Sequence, residues 1–127
     1  MENDVKLFLL CNPHNPVGRA WKKEELIQMG EICRKYGVIV FSDEIHVDFV
    51  WDGSHQAFIT AKERFEQIAV TATSPSKTFN LAGLQVSNLV IKNKELRQKF
   101  QKAVDASGYS QLNAAGLIAC KTAYQFG

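Results

Sequence analysis

Three short apolar runs, VKLFLLC (5–11), VIVFSD (38–43) and IAVTAT (68–73), each break off into a polar loop, with helical or partly helical spacing in the intervals between them. Runs of about four to eight apolar residues bounded by turn signals read as strands buried on both faces. Between the first two, Trp21 to Tyr36 places Leu26, Ile27, Met29, Ile32, Cys33 and Tyr36 at helical spacing among Lys, Glu and Arg, and Gly37 falls where a C′ glycine belongs. AFITAKERFEQ (57–67) reads as a second, less regular helical stretch. Strand, helix, strand, helix, strand predicts parallel βαβ units with right-handed crossovers. LQVSNLVIK (84–92) predicts a fourth strand. Only about ten residues precede it after the third, too few for a parallel crossover, so it is expected to run antiparallel. KELRQKFQKAV reads as a helix with one solvated face and Leu96 and Phe100 turned inward, and the closing LIACKTAYQFG has helical spacing too. The expected fold is α/β: a partial three-layer α/β/α sandwich on a mostly parallel sheet of about four strands, the last antiparallel.

Composition narrows the function classes. At 127 residues, 46% hydrophobic and 22% charged, the chain is the size of one domain with a real core. No apolar run approaches the ~20 residues of a membrane helix, and the polar start MENDVK has no signal-peptide pattern. A net charge of +2, with basic residues scattered among acids, argues against a nucleic-acid partner. Cys11, Cys33 and Cys120 are odd in number, widely spaced and flanked by apolar residues. They are expected to be reduced, buried thiols of a cytoplasmic protein, neither a disulfide framework nor a metal site. His14, His46 and His55 lack metal-ligand spacing, and His14 and His55 read as surface or loop residues.

In open α/β sheets ligands bind beyond the carboxyl ends of the parallel strands. The loops leaving those ends, NPHNPVG, DEIHVD and SPSKTF, carry Asn15, Asp43 and Lys77: an amide, a carboxylate and an amine. That set suits a carbonyl cofactor that needs a covalent amine, a counter-charge and a hydrogen bond. Each residue also has a plain structural reading, since Asn-Pro favours turns, Asp and Ser cap them, and a loop lysine is ordinarily solvated. A dinucleotide site is disfavoured, because NPHNPVG stands where GxGxxG would follow the first strand.

Together, NPHNPVG, SDEIH and SPSKTFNLAGLQ resemble the large domain of fold-type I pyridoxal phosphate enzymes, the class I/II aspartate aminotransferase superfamily. Asp43 follows Asn15 by 28 residues and Lys77 follows Asp43 by 34, each at an expected strand end. The resemblance implies pyridoxal 5′-phosphate as cofactor, with Lys77 as the Schiff-base lysine that also moves the substrate Cα proton. It implies Asp43 facing the pyridine nitrogen, Asn15 donating to the phenolate oxygen, His46 where many members place a Tyr contacting that oxygen, and Ser74 and Ser76 near the phosphate. Gln85 departs from the aminotransferase pattern, which often has a phosphate-binding arginine eight residues after the lysine. With SDEIHVD and SKTFNLAGLQ it is similar to the MalY/PatB type of carbon-sulfur β-lyase. That branch implies β-elimination on a sulfur amino acid such as cystathionine, releasing thiol, pyruvate and ammonia. Two alternatives stay open: a class I/II aminotransferase, which shares every step up to the Cα carbanion, and a truncated, catalytically inactive cofactor-domain fragment. The resemblance further implies that residues 1–127 are a fragment of the cofactor-binding large domain, with the upstream segment and the C-terminal small domain missing. It implies a homodimeric parent, and two normally covered strands left as sheet edges.

Overall fold

The computed structural model describes residues 4–109 and 111–127. Strands β1 (Leu7–Cys11), β2 (Ile39–Asp43) and β3 (Ala69–Thr73) lie parallel, and β4 (Asn88–Val90) pairs antiparallel with β3, in the order β1-β2-β3-β4. The parallel core and the reversal of the last strand are both as expected. Leu10, Ser42 and Thr71 are register partners, as are Phe8, Val40 and Ala69, so alternate residues of all three strands share one sheet face.

Helices α1 (Lys23–Lys35) and α2 (Phe58–Ala61) cover that face. Leu26 and Cys33 from α1, Phe58 and Ala61 from α2, and Phe65 just beyond it form one core cluster with Leu10, Val38, Val40 and Ala69. Phe58, Phe65, Leu26 and Val40 are wholly enclosed, and each such side chain contributes roughly 1.5–3 kcal/mol on leaving water. The first turn of α1 is fastened by Lys22 N–H, which donates to Glu25 Oε2 at 2.9 Å, and Arg19 grips both Glu25 oxygens at 2.8 and 2.7 Å. At its other end Gly37, with φ of +66°, lets Val38 N–H reach back to Cys33 O at 2.8 Å, a Schellman closure.

The stretch 57–67 departs from the expected helix. It breaks after α2, passes Lys62 in extended geometry and Arg64 at φ +73°, and ends in a 3₁₀ turn at Phe65–Gln67. The cause is the pair Phe58 and Phe65, whose rings stack 5.0 Å apart at 10°. In one continuous helix, seven residues would set them about 10 Å apart along the axis. The fourth strand is also shorter than expected, because a 3₁₀ turn at Ala82–Leu84 and left-handed Gln85 occupy its first part.

α4 (Lys94–Ala106) turns Leu96 and Phe100 partly inward while Lys94, Lys99 and Lys102 stay exposed, as expected. α5 (Ala114–Phe126) packs against the connection between β3 and β4: Asn113 caps it through Gly116 N–H and donates to Leu84 O at 2.9 Å, and Tyr124 meets Phe79 edge-on. The three thiols are free, but only Cys33 is buried; Cys11 and Cys120 are half-buried, because Cys11 ends the edge strand β1 and Cys120 lies on α5, most of whose residues are exposed. Among the described residues no helix is long and apolar enough to cross a membrane, and no His, Cys, Asp or Glu group could hold a metal ion.

Candidate active site

Parallel pairing of β1, β2 and β3 forces the three loops that leave their carboxyl ends onto one sheet edge. Antiparallel β4 brings the segment preceding it, with Gln85, to the same edge. Cys11, Asp43 and Ala72 are register partners in the last rung, so Asn15 and Lys77 each stand four residues beyond that edge or its neighbouring rung.

The first loop contains two Asn-Pro pairs with opposite roles. Asn12 is wholly buried: its Nδ2 donates to Gln56 O at 2.9 Å, its Oδ1 accepts from Trp21 N–H at 3.1 Å, and its backbone N–H donates to Asp43 O. Trp21 Nε1 adds a bond to Cys11 O at 3.0 Å. This frame holds the loop, whereas Asn15 is exposed and its side-chain amide enters no hydrogen bond among the described residues. Asn15 is therefore presented, with its donors free.

Asp43 ends β2 partly buried, and its Oδ1 accepts from Ile45 N–H at 3.1 Å. His46 follows in a tight turn, set edge-on to Phe49, with Nδ1 buried and without a hydrogen-bond partner. An orphaned buried ring nitrogen costs free energy, which a ligand acceptor or donor would recover. A cavity of about 890 Å³ between the first and second loops is lined by Asn15 and His46 together with Trp21, Phe49 and Trp51. Asp43, Ser74, Ser76 and Lys77 do not line it.

SPSKTF is not an open loop but one helical turn, α3 (Pro75–Thr78). Ser74 is its N-cap: Oγ accepts from Ser76 N–H at 3.1 Å, donates to Val86 O at 2.6 Å, and lies 2.9 Å from Ser76 Oγ. The Ser74 hydroxyl is thus buried and committed to the fold, while Ser76 is half-buried. Lys77 projects from the last turn of α3 and is exposed.

Sequence reasoning passed over Glu44, and it read His55 as a surface or loop residue, of which the loop position holds. Glu44 is 3% exposed; its Oε1 accepts from Ser42 Oγ at 2.8 Å and from Phe58 N–H at 3.0 Å, and its Oε2 lies 2.9 Å from His55 Nε2. His55 is accordingly no free surface residue: its side chain closes the loop 44–57 back onto the strand end. No local pattern pairs an acid one residue past the strand end with a histidine 11 positions on, so the sequence offered no signal for this contact. Asp48 and Thr78 were also missed; Thr78 Oγ1 donates to Asp48 Oδ2 at 2.6 Å, joining the second and third loops.

Residues 1–126 match the family model of aminotransferase class I and II. The chain is 46% identical over 124 residues to cystathionine beta-lyase PatB of Bacillus subtilis, covering 97% of this chain and 32% of that protein. It is 36% identical to protein MalY of Escherichia coli, covering 98% of this chain and 32% of that one. Among solved structures, cystalysin from Treponema denticola, which contains a pyridoxal 5′-phosphate cofactor, superposes with a TM-score of 0.89 at 40% identity, covering 96% of this chain and 32% of that one. The chain thus spans about a third of the length of the curated relatives it matches.

Proposed function

Because the chain belongs to the aminotransferase class I and II family, we propose that its edge loops hold pyridoxal 5′-phosphate and that Lys77 is the lysine bonded to it. The observation that carries this reading is the convergence of Asn15, Asp43 and Lys77 on one carboxyl edge, supplied by three consecutive parallel strands. The donor set fits the ring end of the cofactor: Asp43 offers a carboxylate for a ring nitrogen, and Asn15 and His46 offer donors for a phenolate oxygen. At the phosphate end this chain offers Ser76 and the exposed Gln85, since the Ser74 donor is spent on Val86 O.

When bound, the cofactor supplies an electron-withdrawing ring that stabilises negative charge at a substrate Cα. Lys77 Nζ accepts the Cα proton, and Asp43 supplies the counter-charge that keeps the ring nitrogen protonated. The likeness to PatB, together with Gln85, supports β-elimination on a sulfur amino acid such as cystathionine. The Cβ–S bond breaks with its electron pair leaving on the thiolate, and water completes the release of pyruvate and ammonia. Transamination is the second reading, supported by the family that the chain matches.

In this reading residues 1–127 are the cofactor-domain segment of a longer, homodimeric polypeptide, and turnover belongs to that whole. The free thiols agree with a cytoplasmic location.

The test uses the chain as it stands, mixed with pyridoxal 5′-phosphate, reduced with borohydride and mapped by peptide mass. A selective pyridoxyl label on Lys77, lost in Lys77→Ala, is expected; labels spread evenly over the surface lysines would sink the reading. For the whole polypeptide, cystathionine should give pyruvate with no keto acid added, whereas strict dependence on an acceptor would favour transamination.

A further inference from the structure

We infer that Asp48 is a positioning residue for Lys77, acting through Thr78; this rests on the cofactor reading above. The two loops concerned leave adjacent strands, and adjacent strands lie only about 4.8 Å apart, so short side chains can bridge them. Thr78 Oγ1 to Asp48 Oδ2, at 2.6 Å across 30 residues of sequence, is the one side-chain hydrogen bond joining segment 44–57 to segment 74–87 among the described residues.

Both partners stand on fixed ground. Asp48 sits on two successive turns, with Val47 N–H bonded to Glu44 O at 3.1 Å and Phe49 N–H to His46 O at 2.9 Å. Those turns rest on Glu44, which ties Ser42, His55 and Phe58 together in the interior. Asp43 belongs to the same unit through Ile45 N–H. On the other side Thr78 ends α3, whose start is held by Ser74, and it is the residue next to Lys77.

The consequence follows from the direction of each group. Asp43 and His46 would locate the cofactor from the second loop, while Lys77 approaches from the third. The separation of the two loops therefore sets the distance from Nζ to the cofactor's aldehyde carbon. Reactivity at that carbon is steep in distance, so a hydrogen bond that sets the gap acts on rate as well as on stability. The charged acceptor makes this bond stronger than a neutral pair. In the labelling reaction the neutral Nζ adds to the aldehyde carbon, the C=O bond breaks as its oxygen leaves as water with the two amine protons and a C=N bond forms, and borohydride then delivers hydride to that carbon while solvent protonates the nitrogen, leaving a secondary amine.

The experiment measures the rate of borohydride-trapped labelling at Lys77, with Lys92 and Lys121 in the same sample as internal standards. Asp48→Ala and the isosteric Thr78→Val should each slow labelling at Lys77 by roughly 3- to 10-fold, the equivalent of one hydrogen bond, without slowing the standards. The double variant should be no slower than either single one. Thr78→Ser, which keeps the donor opposite the charged acceptor, should recover most of the rate, and Asp48→Asn, which keeps a neutral acceptor, part of it; general loosening of the chain would not produce that graded rescue. If the unaltered chain labels Lys77 selectively and Thr78→Val labels it as fast, the inference falls while the cofactor reading stands. If the unaltered chain shows no selective label, both fall.

Discussion

Glu44 shows how much one residue holds beside the candidate site. Its carboxylate is buried, and three partners depend on it: Ser42 Oγ, Phe58 N–H and His55 Nε2. Cutting it back to a methyl leaves buried donors unpaired, a loss far larger than the net worth of the bonds themselves. Glu44→Ala is expected to lower unfolding free energy by roughly 2–4 kcal/mol in urea titrations. Glu44→Gln keeps an acceptor for Phe58 N–H and should lose less; equal stability of the Ala variant and the unaltered chain would contradict this account. Asn12 and Asn15 make the complementary point. Both precede proline, yet one is an enclosed structural bracket and the other an exposed amide, and only their surroundings distinguish them.

Among the elements, α1 carries a pH-dependent anchor. The Lys22 N–H, and after it the Arg19 guanidinium, hold the Glu25 carboxyl below its ordinary range. A carboxyl whose pKa is lower in the folded chain contributes stability that is present above its unfolded pKa and lost as the pH falls through the folded one. The stability gap between the unaltered chain and Glu25→Gln should therefore be open at about pH 7 and narrow steadily as the pH is taken down through and below the ordinary carboxylate range, by chemical denaturation at each pH. A gap independent of pH would mean that Glu25 acts only through side-chain packing. The broken helix after Ala61 belongs to this scale as well. Helical periodicity was present locally, but stacking Phe58 on Phe65 in the core outweighed continuing the hydrogen-bonded ladder through Lys62 and Arg64.

For the whole molecule, one sheet face is packed and much of the remainder is open. Leu9 on edge strand β1 is 70% exposed, and Ile118 and Phe126 of α5 project large apolar groups into solvent. An exposed apolar edge strand is a template for pairing with another chain. Sedimentation velocity should show association of the 127-residue chain that grows with concentration, and Leu9→Lys should reduce it. A single monomer boundary at all concentrations would refute this.

What the amino-acid sequence determined by itself was everything that repeats over a few residues: the three strands, α1 with its Gly37 closure, and the order in which Asn15, Asp43 and Lys77 leave the sheet. The reversal of β4 was legible too, because a short connection excludes a parallel crossover. Tertiary structure alone decided the break after α2, the burial of Asn12, the seating of His55 on Glu44 and the bond from Thr78 to Asp48. Periodicity and turn chemistry act between near neighbours and leave a local trace in composition. A hydrogen bond across 11 or 30 residues leaves none, since its partners are chosen by where the strands end in space.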